Sequence, residues 1–175
     1  MNQYLVLTAL GEDRPGIVNQ LSKAILEHGG NITESRMSVL GGEFAILLLV
    51  NGTQEQIDAL QRKLPAIGDD LRLTLMTKQT QRRAPTGAAL PYHVQVIAMD
   101  HPGIVHKVAD FFSSRAINIE ELDTTTYPAA HTGAPMFALE MTISVPARES
   151  INKLRESFVE FCDELGLDGS LEAAV

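Results

Sequence analysis

Two stretches of this 175-residue chain bring together groups that could recognise a charged small molecule. Asp13-Arg14-Pro15-Gly16-Ile17-Val18 recurs, 87 residues later, as Asp100-His101-Pro102-Gly103-Ile104-Val105. In each, proline presets φ for a turn, glycine permits a positive φ, and an amphipathic helical stripe follows. A helix starting there aims unpaired N–H groups and the positive end of its dipole at solvent, beside an acidic or basic side chain. A zwitterion suits such a place, its carboxylate meeting the amides and its ammonium an acid or amide oxygen. Taken alone, the same turn is also simply a well-made helix start, with the aspartate accepting from the first N–H groups.

The offset of 87 also carries Asn31-Ile32 onto Asn118-Ile119 and Glu34 onto Glu121 without a gap. Asn31 and Asn118 are candidate ligand amides, and equally turn residues that tolerate left-handed φ. About 12 helical residues, roughly 18 Å, separate each turn from the asparagine of its own copy, so the two cannot share a small ligand. If the copies pack about a two-fold axis with their first helices antiparallel, Asp13, Arg14 and Gly16 face Asn118. Asp100, His101 and Gly103 then face Asn31. A ligand at that seam would change how the halves dock.

Catalytic sets are poorly supplied. His101 and His106 are five residues apart and do not share one helical face, and His28 and His93 have no evident partner. Cys162 falls beside Phe158 and Phe161 in an apolar stripe, which predicts a buried, inert thiol. There is no glycine-rich phosphate loop and no cysteine cluster to hold zinc. The expectation is a non-enzymatic protein with no cofactor and no metal.

The elements that position these residues follow from hydrophobic periodicity. Leu5–Leu10 and Val94–Met99 precede the turns as short apolar strands, and each leads into a helix. Gly29-Gly30 ends the first helix, and half-exposed strands follow over Asn31–Leu40 and Asn118–Thr126. Gly41-Gly42 predicts a hairpin into Phe44–Val50. In the second copy the strand Met136–Val145 follows a longer excursion, Tyr127–Pro135. A second helix begins at a Thr53/Gln56 capping box and runs to Pro65; its counterpart carries Ile151, Leu154, Phe158, Phe161 and Leu165 up to a Gly166 cap. Alternation at Leu71, Leu73 and Leu75 predicts a fourth strand, with 170–175 as the weaker match.

Each copy is therefore expected to be βαββαβ, an α+β ferredoxin-like unit with a four-stranded antiparallel sheet and both helices on one face. The boundaries are 1–78, a linker at 79–91 that includes Arg82, Arg83, Pro85, Gly87 and Pro91, and 92–175. The uncovered sheet face calls for pairing between domains or chains, hence a homo-oligomer.

Hydrophobic residues form 45% of the chain and charged residues 21%, the balance of a folded core. The net charge of −8 and the absence of a basic stripe argue against direct nucleic-acid binding. The longest apolar run, Phe44–Val50, is too short to cross a bilayer, and the amino terminus carries no secretion signal, so a cytoplasmic location is expected.

The strand, Asp-Arg-Pro-Gly-Ile turn, amphipathic helix and Asn-Ile strand start resemble the ACT domain, a regulatory module that commonly binds amino acids at domain interfaces. Both copies match it. Tyr4–Gly11, Asp13–Asn19 and Gly41-Gly42-Glu43-Phe44, followed by a second ACT-like half, resemble the glycine cleavage system transcriptional repressor family. That resemblance implies a regulator without a DNA-reading motif of its own, responding to glycine and acting by contact with a LysR-type transcriptional activator. It marks Asp13, Arg14, Pro15, Gly16, Ile17 and Asn31, with Asp100, His101, Pro102, Gly103, Ile104 and Asn118, as ligand-binding. His101 in the place of Arg14 and the Tyr127–Pro135 insertion set the second copy apart. A tandem that senses another small amino acid and regulates a metabolic enzyme is the alternative.

Overall fold

The computed structural model describes residues 3–81 and 89–174, and the chain divides into two units, Met1–Ala84 and Pro85–Val175. The first unit runs β1 (Gln3–Glu12), α1 (Ile17–Glu27), β2 (Asn31–Leu40), β3 (Glu43–Gly52), α2 (Gln54–Leu71) and β4 (Thr74–Thr80). The second repeats the plan with β5 (Ala89–Met99), α3 (Ile104–Ser113), β6 (Asn118–Pro128), β7 (Pro135–Pro146), α4 (Ile151–Leu165) and β8 (Asp168–Ala173). The sheets have the orders β2-β3-β1-β4 and β6-β7-β5-β8, antiparallel throughout, as the βαββαβ reading requires.

Alternation along the central strands sends one side of each sheet into a core. Leu5, Leu7 and Ala9 of β1 and Phe44, Ile46, Leu48 and Val50 of β3 are buried against Ile17, Leu21 and Ile25 of α1 and Ile57, Leu60 and Leu64 of α2. Each full burial contributes about 1.5–3 kcal/mol, so these stripes fix the strand faces as well as the helix orientation. Between its helices the second core is aromatic where the first is aliphatic. Phe111 and Phe112 of α3 meet Phe158 of α4 at ring-centroid distances of 5.3 Å, and Phe161 lies 4.8 Å from Phe111. The Arg115 guanidinium stacks 3.7 Å from the Phe111 ring centroid.

The structure redraws several boundaries. Pro65 does not end α2: it sits on the exposed side, where the carbonyl it leaves unpaired can face water, while Leu64 and Gly68 keep the buried stripe going. Leu71 consequently belongs to the helix, and β4 begins at Thr74. The 127–135 segment is a hairpin extension rather than an excursion. Strand pairing continues to Pro128 opposite Pro135, and the loop is closed by Ala129 N–H donating to the Ala134 carbonyl at 2.8 Å. Strands also enter both ends of the stretch read as a linker, since Gln79 and Thr80 pair with β1 and Ala89–Pro91 pair with β7. Arg82, Arg83, Pro85 and Gly87 lie outside the described residues.

Candidate functional site

The two turns are built alike. Gly16 and Gly103 are the N-cap residues of α1 and α3, at φ 86° and 96°, a left-handed conformation that L side chains adopt only with strain. Neither helix has a side-chain cap, which corrects the expectation that the aspartates would accept from the first N–H groups: the residue at the cap has no side chain to offer. Main-chain bonds close the first turn, Gln20 N–H donating to Gly16 O at 2.9 Å. Lys107 N–H donates to Gly103 O at 3.0 Å in the second. Each hairpin holds the approach to the helix: Asp13 N–H donates to Gly42 O in the turn between β2 and β3, and Asp100 N–H to Pro135 O at the start of β7. Asp13, Pro15, Asp100 and Pro102 are exposed around these helix ends.

Ile17 and Ile104 are buried at 3% and 2% exposure, so their side chains serve the cores and only their main chain faces the turn. Arg14 is half-buried and reaches across its own unit. Its guanidinium donates to Gln20 Oε1 at 2.8 Å and to the Leu71 carbonyl at 3.0 Å, at the carboxyl end of α2. A cleft of about 290 Å³ opens there, lined by Glu12, Arg14, Gln20, Asp70, Leu71 and Arg72. The sequence reading gave Arg14 only an outward role; the carbonyl it binds becomes visible once α2 is seen to pass Pro65. His101, in the matching place, is exposed with Nδ1 3.2 Å from the Pro102 carbonyl.

Asn31 and Asn118 stand at the other end of α1 and α3, each opening the next strand, so the structure does not bring a turn and its own asparagine together. Both are exposed and tied to neighbouring strand positions. Asn31 Nδ2 donates to Asn51 Oδ1 at 3.1 Å, across a registered pair. Asn118 Nδ2 donates to Glu120 Oε1 at 2.7 Å, which also accepts from Ser144 Oγ at 3.0 Å.

Among the described residues the other candidate groups stand apart from one another. Cys162 is buried at 1% exposure, and its pKa is pushed up to about 11, by burial first and then by the charges of Asp163 and Asp168. His106 is exposed on α3, and His28 Nδ1 lies 2.8 Å from the Ala24 carbonyl. Among the described residues no cluster of His, Cys, Asp and Glu could hold a metal ion, and no helix is long and apolar enough to cross a membrane.

Comparison with known proteins agrees with this architecture. Residues 3–78 match the ACT domain family. The glycine cleavage system transcriptional repressor of Escherichia coli K12 is 34% identical over 168 residues, covering 96% of this chain and 88% of the relative. A crystal structure provisionally assigned to the same repressor superposes with a TM-score of 0.75 at 31% identity, covering 98% of this chain and 97% of that one. An uncharacterised protein of Galdieria sulphuraria aligns over both full chains with a TM-score of 0.84 and 28% identity. These likenesses support a regulatory role, and the chain belongs to the ACT-domain family of the glycine cleavage system transcriptional repressor.

Proposed function

We propose that this chain is a non-enzymatic, amino-acid-responsive regulator that represses by protein–protein contact with a LysR-type transcriptional activator, with glycine as its ligand. The observation that carries the reading is the pair of helix starts at Gly16 and Gly103, whose first turns have no side-chain cap and stand beside exposed Asp13 and Asp100. Such ends supply donors for a carboxylate and acceptors for an ammonium. Each turn lies a helix length from the asparagine of its own unit, so the site is completed by Asn31 or Asn118 from another ACT-like unit. Binding there favours the assembly in which those units are docked, and so alters what the activator meets.

Titration calorimetry of the full chain with glycine, alanine and serine tests the reading, with Asn31→Ala and Asn118→Ala as controls. Glycine is expected to give heat that each variant weakens about 10-fold or more, the loss of one charge-assisted hydrogen bond. A LysR-type activator is expected to be retained by the immobilised chain and released as glycine is added. No heat with any amino acid, together with retention indifferent to glycine, overturns it.

A further inference from the structure

The side of each sheet away from the helices is set by strand register, and the two units differ there in two matching rows, although the second face also carries Ile97 and Met99 at 42% and 65% exposure. On the first sheet the registered neighbours Glu34, Leu49, Val6 and Lys78 form one row across β2, β3, β1 and β4. The next row is Arg36, Leu47, Thr8 and Met76. Leu47 is 46% exposed and Met76 67%, and a shallow groove of about 380 Å³ runs beside Val6, Glu34, Arg36, Leu47 and Leu49. On the second sheet the matching rows are Glu121, Thr142, His93 and Glu172, then Asp123, Glu140, Gln95 and Ser170. Residues 1–84 contain nine basic and nine acidic side chains and residues 85–175 five and thirteen, so the whole net charge of −8 belongs to the second half.

We infer that the outer face of the first sheet is a self-association surface, and that its occupant is the same face of a second copy of this chain. A two-fold axis along the strands lays each row over its own reverse. Glu34 then stands over Lys78 of the second copy, Leu49 over Val6, and Met76 over Arg36 beside the groove. The ends carry opposite charge and the middle is apolar, so the row is complementary to itself. The same operation on the second sheet sets Glu121 over Glu172, which like charge opposes, and Glu140 over the neutral Gln95, with no opposite charge to meet it. A four-stranded face is roughly 19 Å wide and 24–34 Å long, so a pair buries on the order of 1,000 Å², the lower bound for a specific interface. A dimer of about micromolar strength is the expected result.

Sedimentation velocity of the full chain without amino acid tests this independently of the ligand proposal. The wild type is expected to shift from monomer to dimer between ~1 and ~100 µM. Leu47→Asp is expected to remain monomeric with an unchanged circular dichroism spectrum. Glu34→Lys and Lys78→Glu should each weaken the dimer about 10-fold, and the double exchange Glu34→Lys/Lys78→Glu should restore it. The second-sheet variant Ile97→Asp should leave it unchanged. A monomer at all concentrations, a dimer indifferent to Leu47→Asp, or failure of the double exchange to recover association overturns the inference. Loss on Ile97→Asp does so as well, by assigning a head-to-tail contact between unlike faces.

Discussion

Arg14 and His101 occupy the same step of the two turns, but the arginine spans to the end of α2 while the histidine stays beside Pro102. The difference extends inward. The unit with the anchoring arginine packs leucine and isoleucine between its helices, whereas the unit with the histidine packs four phenylalanines between α3 and α4. A repeated backbone plan is thus held by different means. In the first unit a polar tether pins the long α2 at its carboxyl end, and in the second aromatic area does the equivalent work nearer the centre. Sameness of fold therefore does not make the two turns equivalent as sites.

Removing the aromatic area should produce the largest effect. Phe158→Ala should destabilise the second unit by about 3–5 kcal/mol, the sum of lost transfer energy and a residual cavity. Hydrogen exchange should then show β5–β8 losing protection while β1–β4 keep theirs. Arg14→Ala should be smaller, about 1–2 kcal/mol in the first unit, since it frees a helix-terminal carbonyl bound by a charged donor. His101→Ala in the second unit should stay within about 0.5 kcal/mol, and thermal melts of the two variants compare them directly.

The helix ends sharpen the comparison further. All four helices close with the same pair of main-chain bonds, around Gly29, Arg72, Ala116 and Gly166. Ala116 stands where the first unit has Gly29, at φ 54° against 78°. Ala116→Gly should therefore stabilise the second unit by a few tenths to about 1 kcal/mol, and Gly29→Ala should destabilise the first by about 1 kcal/mol or more. Denaturant midpoints check both.

Cys162 belongs to the second unit alone, and its effect is the smallest at neutral pH. Its thiol stays protonated in the fold while the unfolded chain ionises from the ordinary value of 9.0, so stability falls as pH rises from there to about 11. The alkaline decline should be shallower in Cys162→Ala, measured as the difference between the two chains' melts across that window. At pH 7 the wild-type thiol should react with a disulfide reagent only after unfolding.

Much of this was legible in sequence. The 87-residue offset aligned turns, asparagines and helical stripes, and the order of elements followed from periodicity because the buried positions in both copies are consistently apolar. Three features escaped for physical reasons. A proline on an exposed helix face leaves its unpaired carbonyl to water, so Pro65 did not punctuate α2. Cross-strand pairing decided how far β6 and β7 extend, and composition around Pro128 and Pro135 concealed it. The outer-face rows depend on a register shift between Ile32 and Glu34, repeated between Ile119 and Glu121, which no alternation count reveals. Of the candidate site, the glycine turns were readable; the use of Arg14 within its own unit was not.

That register shift has a consequence for solubility. Thr33 and Glu120 are each the extra residue of a register shift in the outermost strand on one side of their sheet. The free line of main-chain donors and acceptors is interrupted there, so an incoming strand cannot zip along it in register. A protein shortened by the Thr33 codon would expose an unbroken margin and should nucleate fibrils sooner than its parent.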